Sequence, residues 1–412
     1  MIKLRRLSII SALILTLTAC SNSSDQKDKT SGDNNQEADN LSISNTFLNP
    51  TSCSVYAEGL KLDKNHQKNG QITFANWNTY IAPGLPKCFE KLTGIHLIQS
   101  YSSDDNMLNA RLLTGNTGYD VVVHGNLYFP SEIKAGSLEP IDKSKLSNYK
   151  YINKALYKKV ANLDPGNKYG LIYSYGTTGI GYNVDKIDKI MGKGYVPNSW
   201  ADLFDPKYLK KFQKCGISLL DEPEQVFGNL LFYLGKDPNS QNPEDYKEAA
   251  KYLIKNVRPY LTYFDSNRYQ NDFASGNLCI VMGYSGDVLR AANLGKYSAK
   301  TNIRYVLPKE GAPIWFDMLA VPKGAPDQKN LYQFLNFNLN PRVAATNSNF
   351  LYQPNAVNGS SKYMLPLLQD KNVTPTPEMI DKMYQLYRQP PKLQEYINRL
   401  WMSVKYNIGD IN

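Results

Sequence analysis

Cysteine supplies only 5 of the 412 residues and histidine only 3. So little cysteine excludes a small scaffold built from disulfides. His66, His96 and His124 stand far apart, which argues against a multi-histidine metal site or a histidine-rich hydrolase centre. No GxSxG, HExxH, P-loop or GxGxxG sequence occurs, so the common catalytic and nucleotide-binding signatures are missing. The stretch LLTGNTG (112–118) has the glycines of a phosphate loop but lacks its lysine, and it reads as a turn that ends a helix. After residue 20 no run approaches the 18 uninterrupted apolar residues of a membrane-crossing helix. Nothing calls for a cofactor or a metal, and no catalytic constellation stands out.

Hydrophobic residues make up 42% of the chain and charged residues 20%. That is enough apolar material to bury a core, and at roughly 150 residues per domain the length allows two or three domains. Net charge is +10, or +7 once Lys3, Arg5 and Arg6 are discounted with a leader expected to be removed. The basic residues are dispersed: Lys382, Arg388, Lys392, Arg399 and Lys405 are interleaved with apolar positions. They read as a solvated helix face, not as a nucleic-acid surface. Tyrosine is abundant, at 30, which is the first hint about ligand chemistry.

Residues 1–20 read as a secretory leader. Lys3, Arg5 and Arg6 precede a largely apolar run from Leu7 to Ala19, too short to span a bilayer as a helix. It ends in Leu17-Thr18-Ala19-Cys20, which looks like a lipobox with Cys20 as the lipid-bearing residue; an ordinary cleaved leader or a short uncleaved anchor is the alternative. Residues 21–70 read as a flexible tether. Its first half, SNSSDQKDKTSGDNNQEADN, has almost no apolar residue to offset the entropy of ordering. Its second half carries Phe47, Leu48, Cys53, Val55 and Tyr56, which can pack on a body. Outside the cytoplasm thiols tend to pair, and Cys53, Cys88, Cys215 and Cys279 allow three connectivities.

From Ile72 the chain alternates short β-branched runs with amphipathic stretches. Strands are expected at ITFANW (72–77), IHLIQSY (95–101), YDVVV (119–123), LIYSYGTTGIGYN (171–183), CGISLL (215–220), LCIVMGY (278–284), IRYVLP and WFDMLAVP. Helices are expected at 85–92, 107–113, 225–234, 331–337, 377–387 and 391–405. Strand–helix alternation predicts an α/β fold of βαβ units with a parallel sheet covered on both faces, divided between two lobes of similar size.

Open α/β sheets bind ligands at the carboxyl ends of their strands. Those ends carry Trp77, Asn78, Thr79 and Tyr80; His124, Gly125, Asn126 and Tyr128; Tyr284, Ser285 and Asp287; and Trp315 and Asp317. Tyr352 follows a later helix. Aromatic rings with two aspartates describe a box for an organic cation, since a ring face attracts a cation by about 0.5–2 kcal/mol and a carboxylate offsets the cost of drying an ammonium group. His124 is the most enzyme-like of these residues; a histidine on the cleft rim is the plainer reading.

From Phe74 to its end the chain resembles the periplasmic polyamine-binding proteins of bacterial ABC transporters, most of all their putrescine-binding branch. The matching text is NWNTYIAPG (76–84), FEKLTGI (89–95), YGTTGIGYNVDK (175–186), CGISLLDEPEQVF through LGKDPNS (215–240), GYSGDV (283–288) and PKEGA (308–312). The resemblance implies a type II two-lobe binding-protein fold, with residues 71–174 and 305–340 in one lobe and 175–304 and 341–412 in the other. It places crossings near Tyr173–Gly176 and Arg304–Pro308, with hinge closure around a ligand. It implies a Cys215–Cys279 disulfide, leaving Cys53 and Cys88 to pair with each other. It implies ligand contacts at Trp77, Tyr80, Tyr284, Asp287, Trp315, Asp317 and Tyr352, and Asn78 joins them from its place at the strand end.

The departures from the resemblance matter. Thr79 and Gln225 stand where relatives carry ligand-binding acids, and Gly125 replaces a serine. Two outcomes are open. The chain binds a polyamine weakly or with a changed preference, with Asp265 or Glu222 compensating; or it binds a ligand with one cationic end. The expected partners are a small cationic ligand and an ABC permease, with the membrane reached through Cys20, no nucleic acid, and a monomeric chain. A sensor role or an envelope interaction protein that has lost polyamine binding is the alternative.

Overall fold

A computed structural model describes residues 52–102 and 105–407. The expected leader, Cys20 and residues 21–51 of the expected tether lie outside the described residues. Strands β1 (Gln71–Trp77), β2 (His96–Ser102) and β3 (Val121–Gly125) form parallel pairs with β1 in the centre. They are joined by helices α1 (Gly84–Thr93) and α2 (Asp105–Thr114). Helix α1 buries Leu85, Pro86, Cys88, Phe89 and Thr93 along one side. It stops at Gly94, whose φ of 69° lets its N–H return to the Glu90 carbonyl at 2.8 Å.

The long strand β5 (Gly170–Asn183) is buried over its whole length and belongs to two halves of the sheet. Residues 170–177 pair antiparallel with β10 (Ile314–Pro322), which in turn lies antiparallel to β3. Residues 178–183 lie between β8 (Ile280–Tyr284) and β9 (Ile303–Val306), both antiparallel to β5. Beyond β8 come β6 (Ile217–Leu219) and β7 (Tyr263–Phe264), in parallel; the two-residue β4 (Leu138–Glu139) pairs with β10. The order is β2-β1-β3-β10-β5-β8-β6-β7. The all-parallel sheet expected from the alternation is therefore a mixed one. The chain crosses to the second half along β5 and returns through β9, so β10 re-enters the first half against the direction of its neighbours. The result is the two-lobe α/β architecture of type II binding proteins, and the described residues belong to one compact unit.

The second half carries α3 (Pro223–Tyr233), α4 (Pro243–Tyr252), α5 (Ser285–Ser298) and, near the C-terminus, α8 (Pro391–Tyr406). Helix α8 buries Gln394, Ile397, Leu400, Trp401 and Val404, a helical spacing. Asp221 pins it, accepting from Trp401 Nε1 at 2.8 Å and Lys405 Nζ at 2.5 Å.

Two boundaries differ from expectation. Helices α6 (Leu331–Asn338) and α7 (Pro341–Leu351) both pack on the first half, although residues from 341 onward were expected in the second. Asn347 Oδ1 accepts from the Ala82 N–H at 2.9 Å, Thr346 meets the Tyr56 hydroxyl at 3.0 Å, and Ile152 bridges Val357. The tether also ends earlier than residue 70. Tyr56 is buried against Phe337, and Cys53 is bonded to Cys88 on α1, with Cα atoms 5.1 Å apart. The other disulfide joins Cys215 to Cys279, with Cα atoms 5.5 Å apart.

Candidate functional site

The turn after β1 brings Tyr80 back over the sheet. Its carbonyl accepts from the Tyr173 hydroxyl at 2.7 Å and from Asn76 Nδ2 at 3.1 Å. Its hydroxyl meets Asp317 Oδ2 and lies 2.5 Å from Gln353 Oε1. Ser174 Oγ on β5 stands 3.2 Å from the same Asp317 oxygen and 2.9 Å from Gln353 Oε1. Tyr80 and Ser174 thus both present a hydroxyl to the same two acceptors, Asp317 Oδ2 and Gln353 Oε1. Asp317 is only 9% exposed. Burial pushes its carboxyl up to about 7; the Tyr80 hydrogen bond pulls it down and the Asp105 charge pushes it up. Such a group is part-protonated near neutrality and ionises fully beside a cation.

A second acid comes from the other half. Strand β8 ends at Tyr284 and α5 begins at Ser285, which puts Asp287 in its first turn. Asp287 Oδ2 accepts from the Tyr269 hydroxyl at 2.9 Å. Burial nevertheless raises this carboxyl to about 6, against the lowering influences of Tyr269 and Arg290. The Tyr284 ring meets Trp315 edge-to-face at 5.7 Å and 86°. Trp315 packs closely on β5 because residue 176 is glycine: a Cβ there would come within 2.3 Å of the indole. The start of α5 abuts Gln353, for a Cβ on Gly286 would come within 2.8 Å of Gln353 Cγ. Gln353 thus joins the Asp287 helix to the Asp317 cluster. Its neighbour Tyr352, in the left-handed region at φ 59°, caps α7 and lies with its ring centroid 6.0 Å from the Arg290 guanidinium.

The remaining expected site residues are placed unevenly. Trp77 packs edge-on to Tyr80 at 4.9 Å. Asn78 and Thr79 are exposed on the turn, and Thr79 has a φ of 56°, a strained conformation for a β-branched residue. Gly125 is buried and faces Asp317 across the β3–β10 pairing. Gln225 lies in the first turn of α3; among the described residues its Oε1, like Trp315 Nε1, is a buried polar atom without a hydrogen-bond partner. His124 is not on the rim. It is fully buried, stacked on Tyr128 at 4.5 Å, with Glu132 2.8 Å from Nδ1 and Asp105 3.5 Å from Nε2. Burial alone would lower its pKa; Glu132 and Asp105 reverse this and raise it.

Sequence reading missed Tyr269, Ser174, Gln353 and Asp105. Ser174 lies in the SYGTTG run and Gln353 adjoins Tyr352, so both stood beside residues already singled out. Tyr269 and Asp105 follow segments with no distinguishing pattern. Asp265 is occupied at a turn, accepting from the Asn267 and Arg268 N–H groups at 2.7 and 2.6 Å. Glu222 lies at the N-terminal edge of α3; burial, Glu224, Asp221 and Asp105 push it up to about 7. Among the described residues no group of three or more histidine, cysteine or acidic side chains could hold a metal ion.

Two α/β lobes sharing one strand, with acids and aromatic rings from both, define a solute-binding protein. A profile of the bacterial extracellular solute-binding protein family matches residues 86–359, and the chain belongs to that family. It is 39% identical over 336 residues to the putrescine-binding periplasmic protein PotF of Escherichia coli, covering 80% of this chain and 90% of the relative. It is 37% identical to the putrescine-binding periplasmic protein SpuD of Pseudomonas aeruginosa, with the same coverage. Among solved structures, the spermidine/putrescine substrate-binding protein PotD of Streptococcus pneumoniae superposes with a TM-score of 0.71 at 25% identity, covering 82% of this chain and 99% of that one. These relatives are binding proteins, not enzymes.

Proposed function

We propose that this chain captures a polyamine of the diamine class outside the cytoplasm and delivers it to an ABC permease, held at the membrane as a monomer through a lipid on Cys20. The observation that carries the reading is that Gln353 stands between two acids from opposite halves, meeting the Tyr80–Ser174–Asp317 cluster on one side and the start of the Asp287 helix on the other, with the Tyr284 and Trp315 rings in contact beside them. Acids drawn into a low-dielectric cleft gain most from a cation, and the rings favour its alkyl chain and its charge together. The naming of PotF and SpuD as putrescine-binding supports the choice of amine. Among the described residues no helix is long and apolar enough to cross a membrane; the lipobox-like Leu17-Thr18-Ala19-Cys20 is what supports attachment through Cys20.

A thermal-shift screen with putrescine, cadaverine, spermidine, agmatine and amino acids tests the ligand. A ligand at 100 times its dissociation constant stabilises the protein by about 2.7 kcal/mol. Asp317→Asn and Asp287→Asn each abolish the shift for amines; undiminished shifts in both would reject the cation box. The neutral Thr79 and Gln225 favour a second reading, a ligand with one cationic end, which the same screen separates through agmatine and the amino acids.

A further inference from the structure

Ahead of α8 the chain has no helix from Met383 to Pro390, yet it is clamped to the second half on both sides of Arg388. Tyr384 rests on Phe232 of α3, with ring centroids 4.5 Å apart, and its hydroxyl donates to Asn229 Oδ1 at 2.6 Å. Leu386 fills the space that Gly228 leaves on α3, where a Cβ would come within 2.4 Å of it. Asn239 accepts from the Tyr387 N–H at 2.7 Å and donates to the Gln385 carbonyl at 2.8 Å. The Gln389 N–H donates to Gln394 Oε1 on α8 at 3.3 Å.

Arg388 leaves this clamped segment and makes its contacts on the other half. Its guanidinium donates to Asn106 Oδ1, in the first turn of α2, and lies 5.1 Å from the centre of the Tyr128 ring, which follows β3. The receiving surface is itself fixed. Tyr128 is buried and stacked on His124 at 4.5 Å, and its hydroxyl donates to the same Asn106 oxygen at 3.2 Å. That oxygen thus takes one donor from each half. Arginine suits such a place, because a guanidinium can lie on a ring while its N–H groups reach an acceptor.

We infer that Arg388 is a latch between the two halves, a positioning residue that acts on ligand retention by holding the cleft shut. The halves of a hinged binding protein separate before a ligand leaves. Separation here must strip the Arg388 N–H from Asn106 and draw the guanidinium off Tyr128. A contact made only in the closed arrangement shifts the population toward it, slows release and raises the apparent affinity. The sign of the effect separates this from electrostatics. Removing a positive charge near a cation site favours the cation on charge alone, whereas removing a latch weakens its hold. The inference rests on the two-lobe fold and goes beyond the choice of amine.

Stopped-flow kinetics and calorimetry of the full chain with 1,4-diaminobutane test this. Arg388→Ala raises the dissociation rate about three- to tenfold and changes the association rate by less than about twofold. Asn106→Ala does nearly the same, and the two together give little more than either alone. Arg388→Lys, which keeps a charge and a donor but loses the flat face, falls between the parent and Arg388→Ala. Lys392→Ala, which takes an equal charge from the exposed start of α8, changes neither rate. In X-ray scattering of the ligand-free chain, Arg388→Ala has a larger radius of gyration than the parent. Circular dichroism establishes that each variant is folded; if Arg388→Ala is not, Asn106→Ala and Arg388→Lys carry the test. A dissociation rate left unchanged or slowed by both Arg388→Ala and Asn106→Ala overturns the latch and leaves the amine reading standing. If the parent binds no diamine, the amine reading fails and scattering decides the latch, which equal radii in parent and variant overturn.

Discussion

Amine capture by this cleft is expected to depend on pH in a direction fixed by Asp317 and Asp287. Their carboxyls stand at about 7 and about 6, raised in each case chiefly by burial. A bound ammonium favours the ionised form, so binding lowers both values and releases protons. Affinity is therefore fully developed above pH 7 and declines as pH falls through 7 and then 6. Primary amines, with a pKa of about 10, stay protonated throughout. Each fully titrated carboxyl changes affinity by at most tenfold per pH unit, or about 1.4 kcal/mol. Between pH 8 and pH 5, Asp317 alone accounts for a loss on the order of a hundredfold, and Asp287 for about tenfold more. Calorimetry in buffers of different ionisation enthalpy measures both the affinity and the proton count, which is about one half from Asp317 at pH 7. Asp317→Asn removes that release. Affinity that is flat from pH 5 to 8, or that rises on acidification, would refute the placement of these acids against the ligand charge. The ligand-free protein moves the opposite way. With folded pKa values above the unfolded ones, these groups contribute stability that is complete below about pH 4 and lost as pH rises through 6 and 7. The empty protein thus melts higher at pH 5 than at pH 8, and excess amine narrows or reverses the difference.

Two further outcomes follow from local structure. Thr79 holds a φ of 56°, a region that asparagine and aspartate tolerate better. Thr79→Asn raises stability by about 1 kcal/mol in chemical denaturation, and Thr79→Asp does the same, while a loss of stability in both would mean that the turn is not strained. Removing the Cys53–Cys88 bond, which closes 35 residues, by Cys53→Ser with Cys88→Ser lowers stability by about 2–4 kcal/mol and leaves amine affinity within twofold; an unchanged denaturation midpoint counts against a stabilising role.

The sheet was legible because its strands are apolar runs of the right length, and each of the eight expected strands from ITFANW to WFDMLAVP is present to within about two residues. The direction of β10 was not legible, because a strand's neighbours are set by where the chain returns from and not by its own composition. The expected helix 377–387 stops at Lys382 because Tyr384 is drawn into a bridge with Pro313, its carbonyl taking the Ile314 N–H at 2.8 Å. Helix propensity loses there to a tertiary hydrogen bond. Within the site, Asp317 and Asp287 stood out as acids at strand ends. Asp105 did not, since its place depends on Gly125, 20 positions away, where a Cβ would lie 3.2 Å from its carboxylate. The exposed Asn78 and Thr79 show the reverse: adjacency to a strand end put them in the expected set, and the turn carried them outward.

The Cys53–Cys88 bond also decides how the body answers a pull from its N-terminal side. Tension that reaches Cys53 is passed through sulfur to Cys88 on α1. Strand β1, which begins only at Gln71 and leads into Trp77 and Tyr80, is bypassed. Drag on the molecule is thus borne by a covalent strap on the flank of the fold, and the cleft is spared the load.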